Sequence, residues 1–400
     1  MTLDTLLSIV QAPFCALGLF FGTYILVLTV AALSYRRSPA AGAPSRRRFA
    51  IVIPAHNEEK VIGRTLMSTA QLVYPRELLD VVVVADNCTD ATADIARAHG
   101  ALVYERSDEH HRGKGYALNW IAPLLLEHSP PYDAHVILDA DSAISPNFLE
   151  EMNGSLEQGH TVIQSADLVA ENRDSWRVQL VSIAFILQNF FRPLGKSSLG
   201  LFIALKGNGM CFRSDLLRTV RWDVSSLCED LDLAVDLLRG GVLVHFNPEA
   251  VVHAIMPDAA RGATTQRMRW EGGKFASMRS SVPSLLSESF RRRSLRLFEA
   301  AVDISFPPLV LFLLIALAFV CLNALVLWLG WLTSYFFLTA WILVITSILL
   351  HCAAGLIRAR VSPVKLLALL HVPGFMLWKI SVYVRILRKK GPKDWVRTAR

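Results

Sequence analysis

Two short acidic clusters carry the residue types best suited to chemistry. Asp139-Ala140-Asp141 sets two carboxylates one residue apart. Such a pair can hold a divalent cation while a diphosphate fills the remaining positions, because Mg²⁺ usually takes only one or two protein carboxylates plus substrate oxygens and water. A plain polar turn leaving a strand has the same pattern, so the pair needs support from the rest of the chain. The second cluster, Glu229, Asp230 and Asp232, opens an amphipathic segment that begins near Ser226. Capping and the helix dipole favour one acid there. They do not account for three, and one of these is a candidate general base for a substrate hydroxyl. Gln266-Arg267-Met268-Arg269-Trp270 adds guanidinium groups that can grip phosphate in bidentate fashion and an indole face that can stack on a sugar ring. A basic helix abutting a membrane has that composition too. Arg112-Gly113-Lys114-Gly115 precedes the apolar stretch Tyr116 to Leu126. It reads as a backbone cradle with a cation aimed at phosphate, or as a flexible loop, and it is neither a Walker loop nor G-x-G-x-x-G. His110 and His111 beside it lack metal-ligand spacing.

The elements that must position these residues follow an α/β pattern. Ala50 to Ile53 predicts a buried strand stopped by Pro54, with a helix over 58–72. Leu79 to Val84 predicts a second strand, which runs out into Asp86-Asn87-Cys88-Thr89-Asp90 before a helix over 91–98. Further strands are expected over Ala101–Tyr104 and His135–Leu138. In an open parallel sheet, ligands bind beyond the carboxyl ends of the strands. Asn57, Glu58, Asp86, Asp139 and Asp141 all fall at such ends, which points to a nucleotide site.

The rest of the chain is too apolar for an ordinary soluble protein: of 400 residues, 53% are hydrophobic and 19% charged, which excludes disorder and a small disulfide scaffold. The six cysteines include no C-x-x-C pair, so reduced thiols facing the cytosol are expected rather than a zinc ribbon or disulfide framework. Leu6 to Val30 is uncharged and meets the roughly 20 residues that a spanning helix needs. The cations that follow it, Arg36, Arg37 and Arg46 to Arg48, put its C-terminal end in the cytoplasm. Pro307 and Pro308 open a helical hairpin, Leu309 to about Gly330 and Thr333 to about Leu350, closed by Arg358, Arg360 and Lys365. Leu366 to Leu387 is interrupted by Pro373, Gly374 and Lys379, and reads as an interfacial or re-entrant helix in preference to a fourth span. The basic tail to Arg400 would lie near anionic headgroups or serve only as a topology signal. The net charge of +7 borders the apolar spans and lacks interleaved exposed aromatics, which argues against nucleic acid as a partner.

Taken in order, Pro54-Ala55-His56-Asn57-Glu58-Glu59, Asp86 to Asp90, Arg112 to Gly115, Asp139-Ala140-Asp141, Gly207-Asn208-Gly209-Met210, Glu229-Asp230 and Gln266 to Trp270 closely resemble the membrane-bound branch of glycosyltransferase family 2. That branch includes cellulose, hyaluronan, chitin and poly-N-acetylglucosamine synthases and their non-processive relatives. The resemblance covers about residues 49 to 280. It implies a GT-A nucleotide-sugar-binding domain with a mostly parallel central sheet, flanked by transmembrane helices. It implies that Ala55, Glu58 and Asp86 line the nucleotide pocket, that Lys114 lies near the donor, that Asp139 binds the nucleotide sugar and that Asp141 ligates Mg²⁺ or Mn²⁺. Asp230 resembles the catalytic base, supported by Glu229. Gln266, Arg269 and Trp270 resemble the motif that closes over the pyrophosphate and forms the acceptor end, with Asn208 and Gly209 on the acceptor floor. Cys228 stands where many members have threonine and His56 where many have tyrosine; neither removes a chemical role, though each bears on which sugar fits.

The implied division is an N-terminal transmembrane anchor (1–35), a cytoplasmic GT-A domain (49–283), an interfacial amphipathic segment (284–306), a transmembrane hairpin (307–352) and an interfacial or transmembrane helix with a basic cytoplasmic tail (363–400). The expected enzyme is a metal-dependent, inverting glycosyltransferase of a bacterial inner membrane. It takes a UDP-sugar donor and a polysaccharide or lipid-linked acceptor, with membrane lipids around it and room for accessory secretion partners. Addition of one sugar to form a glycolipid is the alternative, and non-catalytic binding of nucleotide sugar or lipid the remote one.

Overall fold

The computed structural model describes residues 2–37, 45–171, 175–222, 228–256 and 260–388. Lys389, Lys390, Lys393, Arg397 and Arg400 of the expected tail, and Ser226 and Leu227 ahead of the acidic cluster, lie outside the described residues.

After the long apolar helix α1 (Leu3–Leu33), the chain alternates strands and helices: β1 (Phe49–Ala55), α2 (Ile62–Ala70), β2 (Leu79–Asp86), α3 (Thr92–Ala98), β3 (Leu102–Arg106), α4 (Lys114–Leu126) and β4 (Ala134–Ile137). There follow β5 (Ser142–Ile144), α5 (Phe148–Glu157), β6 (Val162–Val169), α6 (Trp176–Phe185), α7 (Arg192–Ser198), β7 (Met210–Arg213), α8 (Ser214–Leu217), α9 (Glu229–Arg239) and β8 (His245–Ala254). One sheet orders these strands β3-β2-β1-β4-β7-β6-β8-β5. Strands β1 to β4 pair in parallel, while β7 runs antiparallel to both β4 and β6. The near-continuous apolar runs of β1, β2 and β4 are what a sheet covered on both faces requires.

Register decides where the polar residues gather. Ala55 of β1 pairs with Ala85 of β2, and Ile137 of β4 pairs with Met210 of β7. The exits of β1, β2 and β4 and the turn entering β7 therefore share one edge of the sheet. The expected helix after β1 is shorter at its start, Ile62 instead of Glu58, because Asn57 takes a left-handed φ of 56° and holds Glu58 in the exit loop.

Beyond the sheet, α10 (Ala260–Arg292) and α11 (Leu295–Ser305) lead to α12 (Leu309–Trp328), which starts directly after the two prolines, and then to α13 (Phe336–Arg358). The second arm of the hairpin runs on past Leu350 to Arg358, because the polar His351 is buried against α1, with Thr29 Oγ1 2.8 Å from its Nδ1. Helices α1, α12 and α13 pack around Phe21, Phe312, Phe319 and Trp341, the last two stacked at 4.4 Å. The last apolar stretch is a broken helix: α14 (Pro363–Leu366), a 3₁₀ stretch Leu367–His371 and α15 (Val372–Leu387). Among the described residues, four segments are long and apolar enough to cross a membrane: α1, α12, α13 and Pro363–Ile386.

Candidate active site

The exits of β1 and β2 are locked to each other. Asn57 and Asn87 both adopt positive φ, 56° and 50°, as short amide side chains tolerate. The Asn57 Oδ1 accepts from the Thr89 backbone N–H at 2.7 Å, and His56 Nδ1 lies 2.7 Å from the Asp86 carbonyl. Asp86 is buried and does not stand alone: the β2–β3 register sets Arg106 opposite it, and the guanidinium donates to its Oδ1 at 2.6 Å. Arg106 escapes a reading of local sequence, since only the pairing of two strands reveals it.

At the exit of β4 the chain turns through Asp139-Ala140-Asp141 and enters β5 at the far edge of the sheet. Thr65 Oγ1 holds the Ala140 carbonyl at 2.7 Å, and the Ile255 N–H donates to the Asp141 carbonyl at 3.2 Å. Both carboxylates are thus presented by a pinned backbone. Lys114, at the start of α4, donates to Asp139 Oδ1 at 2.5 Å and also to the Gly207 carbonyl, and Arg112, Gly113 and Gly115 of the candidate cradle line the cleft beside it. Asn208 accepts from the Asp139 N–H at 3.0 Å and donates to Ser142 Oγ at 3.0 Å and Asp167 Oδ1 at 3.2 Å. Burial and the nearby Asp139 push the Asp167 carboxyl up to about 8. Gly209 does not line the cleft. Its φ of +65° and its closeness to the Ser165 and Val252 side chains leave no room for a Cβ, so it shapes the turn that delivers Asn208.

Glu229 and Asp230 begin α9, where the helix dipole favours carboxylates. Asp230 approaches Gly207, whose φ is +77° and whose missing Cβ would sit 3.5 Å from the Asp230 Oδ2. Burial, followed by the charge of Glu229, raises the Asp230 carboxyl to about 6. A base poised near neutrality is in the useful range for taking a hydroxyl proton.

Gln266, Arg269 and Trp270 recur on α10 at spacings of three and four, so they share one face. The ring of Trp270 leans on Phe185 at 5.8 Å, with the Arg267 guanidinium 5.1 Å above it. Burial lowers the Arg269 pKa, opposed by Asp139 and Glu229, which ties Arg269 to the carboxylates of the strand exits. Helix α10 is itself held by α15, where Lys379 pairs with Glu271 and Trp378 Nε1 donates to Thr264 at 3.2 Å.

A single cleft of about 1110 Å³ collects these groups: Ala55, Glu58, Asp86, Lys114, Asp139, Asp141, Asn208, Glu229, Asp230, Gln266, Arg269 and Trp270 all line it. Sequence reasoning missed Arg192, Lys206, Lys274 and Asp303, which line its far end. Lys206 carried one signal, its place directly before Gly207-Asn208-Gly209.

The sequence profile described as "Glycosyltransferase like family 2" matches residues 45–273, more than half of the chain. The chain belongs to glycosyltransferase family 2. Its α/β domain has the GT-A fold, joined to helices suited to a membrane. Among its relatives in the family, poly-beta-1,6-N-acetyl-D-glucosamine synthase of Staphylococcus epidermidis is 23% identical over 86% of this chain and 85% of its own. Beta-monoglucosyldiacylglycerol synthase of a Nostoc species is 27% identical over 56% of this chain and 48% of its own. A probable glycosyltransferase of Bacillus subtilis is 25% identical over 56% of this chain and 55% of its own, so the chain spans about half the length of these last two relatives. Among solved structures, a mannosyltransferase from Pyrobaculum calidifontis in complex with GDP-Man and Mn²⁺ has a TM-score of 0.49 and 18% identity, covering 84% of this chain and 97% of that one. Family 2 members thus include makers of both polysaccharide and glycolipid.

Proposed function

We propose that the chain transfers a sugar from a UDP-sugar to a polysaccharide or lipid-linked acceptor by a single in-line displacement with inversion, giving a β-linkage. The observation that carries this reading is the convergence of Asp139, Asp141, Asp230 and Arg269 on one cleft. Asp230 accepts the proton of the acceptor hydroxyl as that oxygen bonds to the anomeric carbon. The bond from that carbon to the β-phosphate oxygen breaks, and the nucleoside diphosphate leaves with the electron pair. Arg269 stabilises the departing charge, Glu229 holds Asp230 basic, and Asp139, positioned by Lys114 and Asn208, binds the nucleotide sugar. Ala55, Glu58, Asp86 and Gln266 surround the nucleotide, with Asn208 and Trp270 toward the acceptor.

Asp141 would hold Mg²⁺ or Mn²⁺. Among the described residues no group of three or more His, Cys, Asp or Glu gathers as a metal site, and a sparse carboxylate set suits an ion that completes its shell with diphosphate oxygens and water. Such an ion supplies charge neutralisation at the leaving group.

The membrane-suited helices and the Arg and Lys residues at the ends of α1 and α13 support a catalytic domain on the cytoplasmic side of a bacterial inner membrane. The hold of α15 on α10 supports an interfacial rather than a spanning role for the last apolar stretch. Single addition to a lipid is favoured by one feature: the cleft continues to Leu309 and Leu313 of α12. Accessory secretion partners belong only to the polymer-extending form.

The test uses the protein in lipid nanodiscs with labelled nucleotide sugars and Mg²⁺ or Mn²⁺, following nucleotide release and product mass. Transfer from a UDP-sugar is the expected result, and no turnover of any nucleotide sugar contradicts it. A ladder of lengths indicates polymerisation and one discrete glycolipid indicates single addition.

A further inference from the structure

The cleft does not end at Asp230. It continues past Lys206 to the first turns of α12, where two of its lysines have no carboxylate within hydrogen-bond distance among the described residues. Asp303 takes Arg192 at 2.6 Å and Lys196 at 2.8 Å. Glu299 takes Lys196 at 3.3 Å, the Tyr24 hydroxyl at 2.6 Å and the Phe202 N–H at 3.0 Å. Arg192 and Lys196 are thus answered at hydrogen-bond distance by these two carboxylates. Among the described residues the Lys274 ammonium has only the Phe306 carbonyl, at 2.7 Å, and the Lys206 ammonium has no hydrogen-bond acceptor, although both line the cleft. Unpaired charge in such a place is costly unless something binds there. Burial and the neighbouring Arg192 hold Lys274 down to about 8 and burial lowers Lys206, as expected for cations short of counter-charge.

These lysines have other main partners than the cations of the strand exits, although Lys114 reaches the carbonyl of Gly207 next to Lys206. Lys114 and Arg269 answer Asp139 and Glu229, whereas Lys206 and Lys274 share Asp303, with Asp230 also near Lys206 and Glu271 near Lys274. Asp230 and Asp167 face both sets, through Lys114 and Lys206. Beside the two lysines the wall is apolar, with Leu309 and Leu313 from α12 and Val372 and Phe375 from α15.

We propose that Lys206 and Lys274 form an anion subsite for the acceptor, and that the acceptor is a membrane lipid bearing a phosphate and a free headgroup hydroxyl. This rests on the glycosyl-transfer reading above and narrows its acceptor. The phosphate sits between the two lysines, the hydroxyl reaches Asp230, and the hydrocarbon chains lie along α12 and α15. The bond made is from that hydroxyl oxygen to the anomeric carbon, the proton goes to Asp230, and the nucleoside diphosphate leaves; the lipid phosphate is unchanged.

The test places the full chain in phosphatidylcholine nanodiscs containing either dioleoylphosphatidylglycerol or neutral dioleoylglycerol, and measures sugar transfer with the preferred donor. The phosphatidylglycerol discs are expected to support transfer with an acceptor KM lower by about tenfold, the worth of one charge-assisted hydrogen bond. Lys206→Gln and Lys274→Gln each raise that KM by about tenfold, with kcat largely kept and recovery in the arginine variants. Equal use of dioleoylglycerol, or an unchanged acceptor KM in both glutamine variants, overturns the subsite while leaving glycosyl transfer standing. Retention of phosphatidylglycerol by the detergent-purified protein, read by native mass spectrometry, decides the subsite without turnover. Wild type keeps the lipid and the double glutamine variant loses it. Equal retention by both, or saturation by inorganic phosphate in place of lipid, overturns the proposal. Absence of any transfer from any donor, with lipid still retained, sinks the catalytic reading instead.

Discussion

At the strand-exit end of the cleft the carboxylates sit within a residue or two of a backbone turn, whereas at the membrane-facing end the ion pairs join helices far apart in sequence. Asp139, Asp141 and Asp86 are presented by strand exits whose register fixes their height. Arg192, Lys196, Glu299 and Asp303 are held by α7 and α11 in pairs that are nearly closed to water. On the proposed reading the first end binds and releases the donor, whereas the ion pairs of the second hold α1, α7 and α11 together and leave Lys206 and Lys274 to the acceptor. Substitutions at the two ends should fail in different ways.

The largest structural effect is expected at the membrane-facing end. Asp303→Asn leaves Arg192 and Lys196 without their shared carboxylate and should destabilise the protein by about 3–5 kcal/mol, as removal of one partner of a buried pair does. Denaturation in nanodiscs reads this, and wild-type stability would show that the ion pairs do not hold that end. At the strand exits, Lys114→Met should raise the donor KM by about tenfold or more through loss of its charge-assisted bond to Asp139, with stability changed far less than in Asp303→Asn. The reverse pattern would erase the distinction between the two ends.

Much of the first end was legible in the sequence because its signals are local. A β-branched run followed by acids marks a strand exit, and spacings of three and four put Gln266, Arg269 and Trp270 on one helix face. The short strands β5 to β8 were not legible, because the antiparallel β7 is inserted between β4 and β6 and only the assembled sheet shows it. Arg106 depended on the β2–β3 register for the same reason. Glu299 and Asp303 fell within the expected interfacial segment, and nothing nearby in sequence names Arg192 or Lys196 as their partners. Gly209, expected on the acceptor floor, instead permits a close crossing behind it.

That difference gives a smaller effect: Gly209→Ala should cost about 1–3 kcal/mol from its left-handed φ, and should also weaken donor binding by displacing Asn208. A stable variant with normal donor KM would return Gly209 to an ordinary turn. The smallest effect is a shift in a pH profile. Protonation of Asp230 near pH 6 removes the base, so kcat should fall as pH drops through that value. Glu229 raises the Asp230 pKa by its charge, so Glu229→Gln should move that acid limb to lower pH. Movement to higher pH would contradict the coupling.

The most direct test of the central claim compares Asp230→Asn with wild type in one preparation, measuring transfer of a labelled sugar and titrating UDP binding. Loss of transfer by about a hundredfold or more with UDP affinity retained is the predicted result. Transfer at the wild-type rate would contradict the assignment of the cleft's chemistry to Asp230.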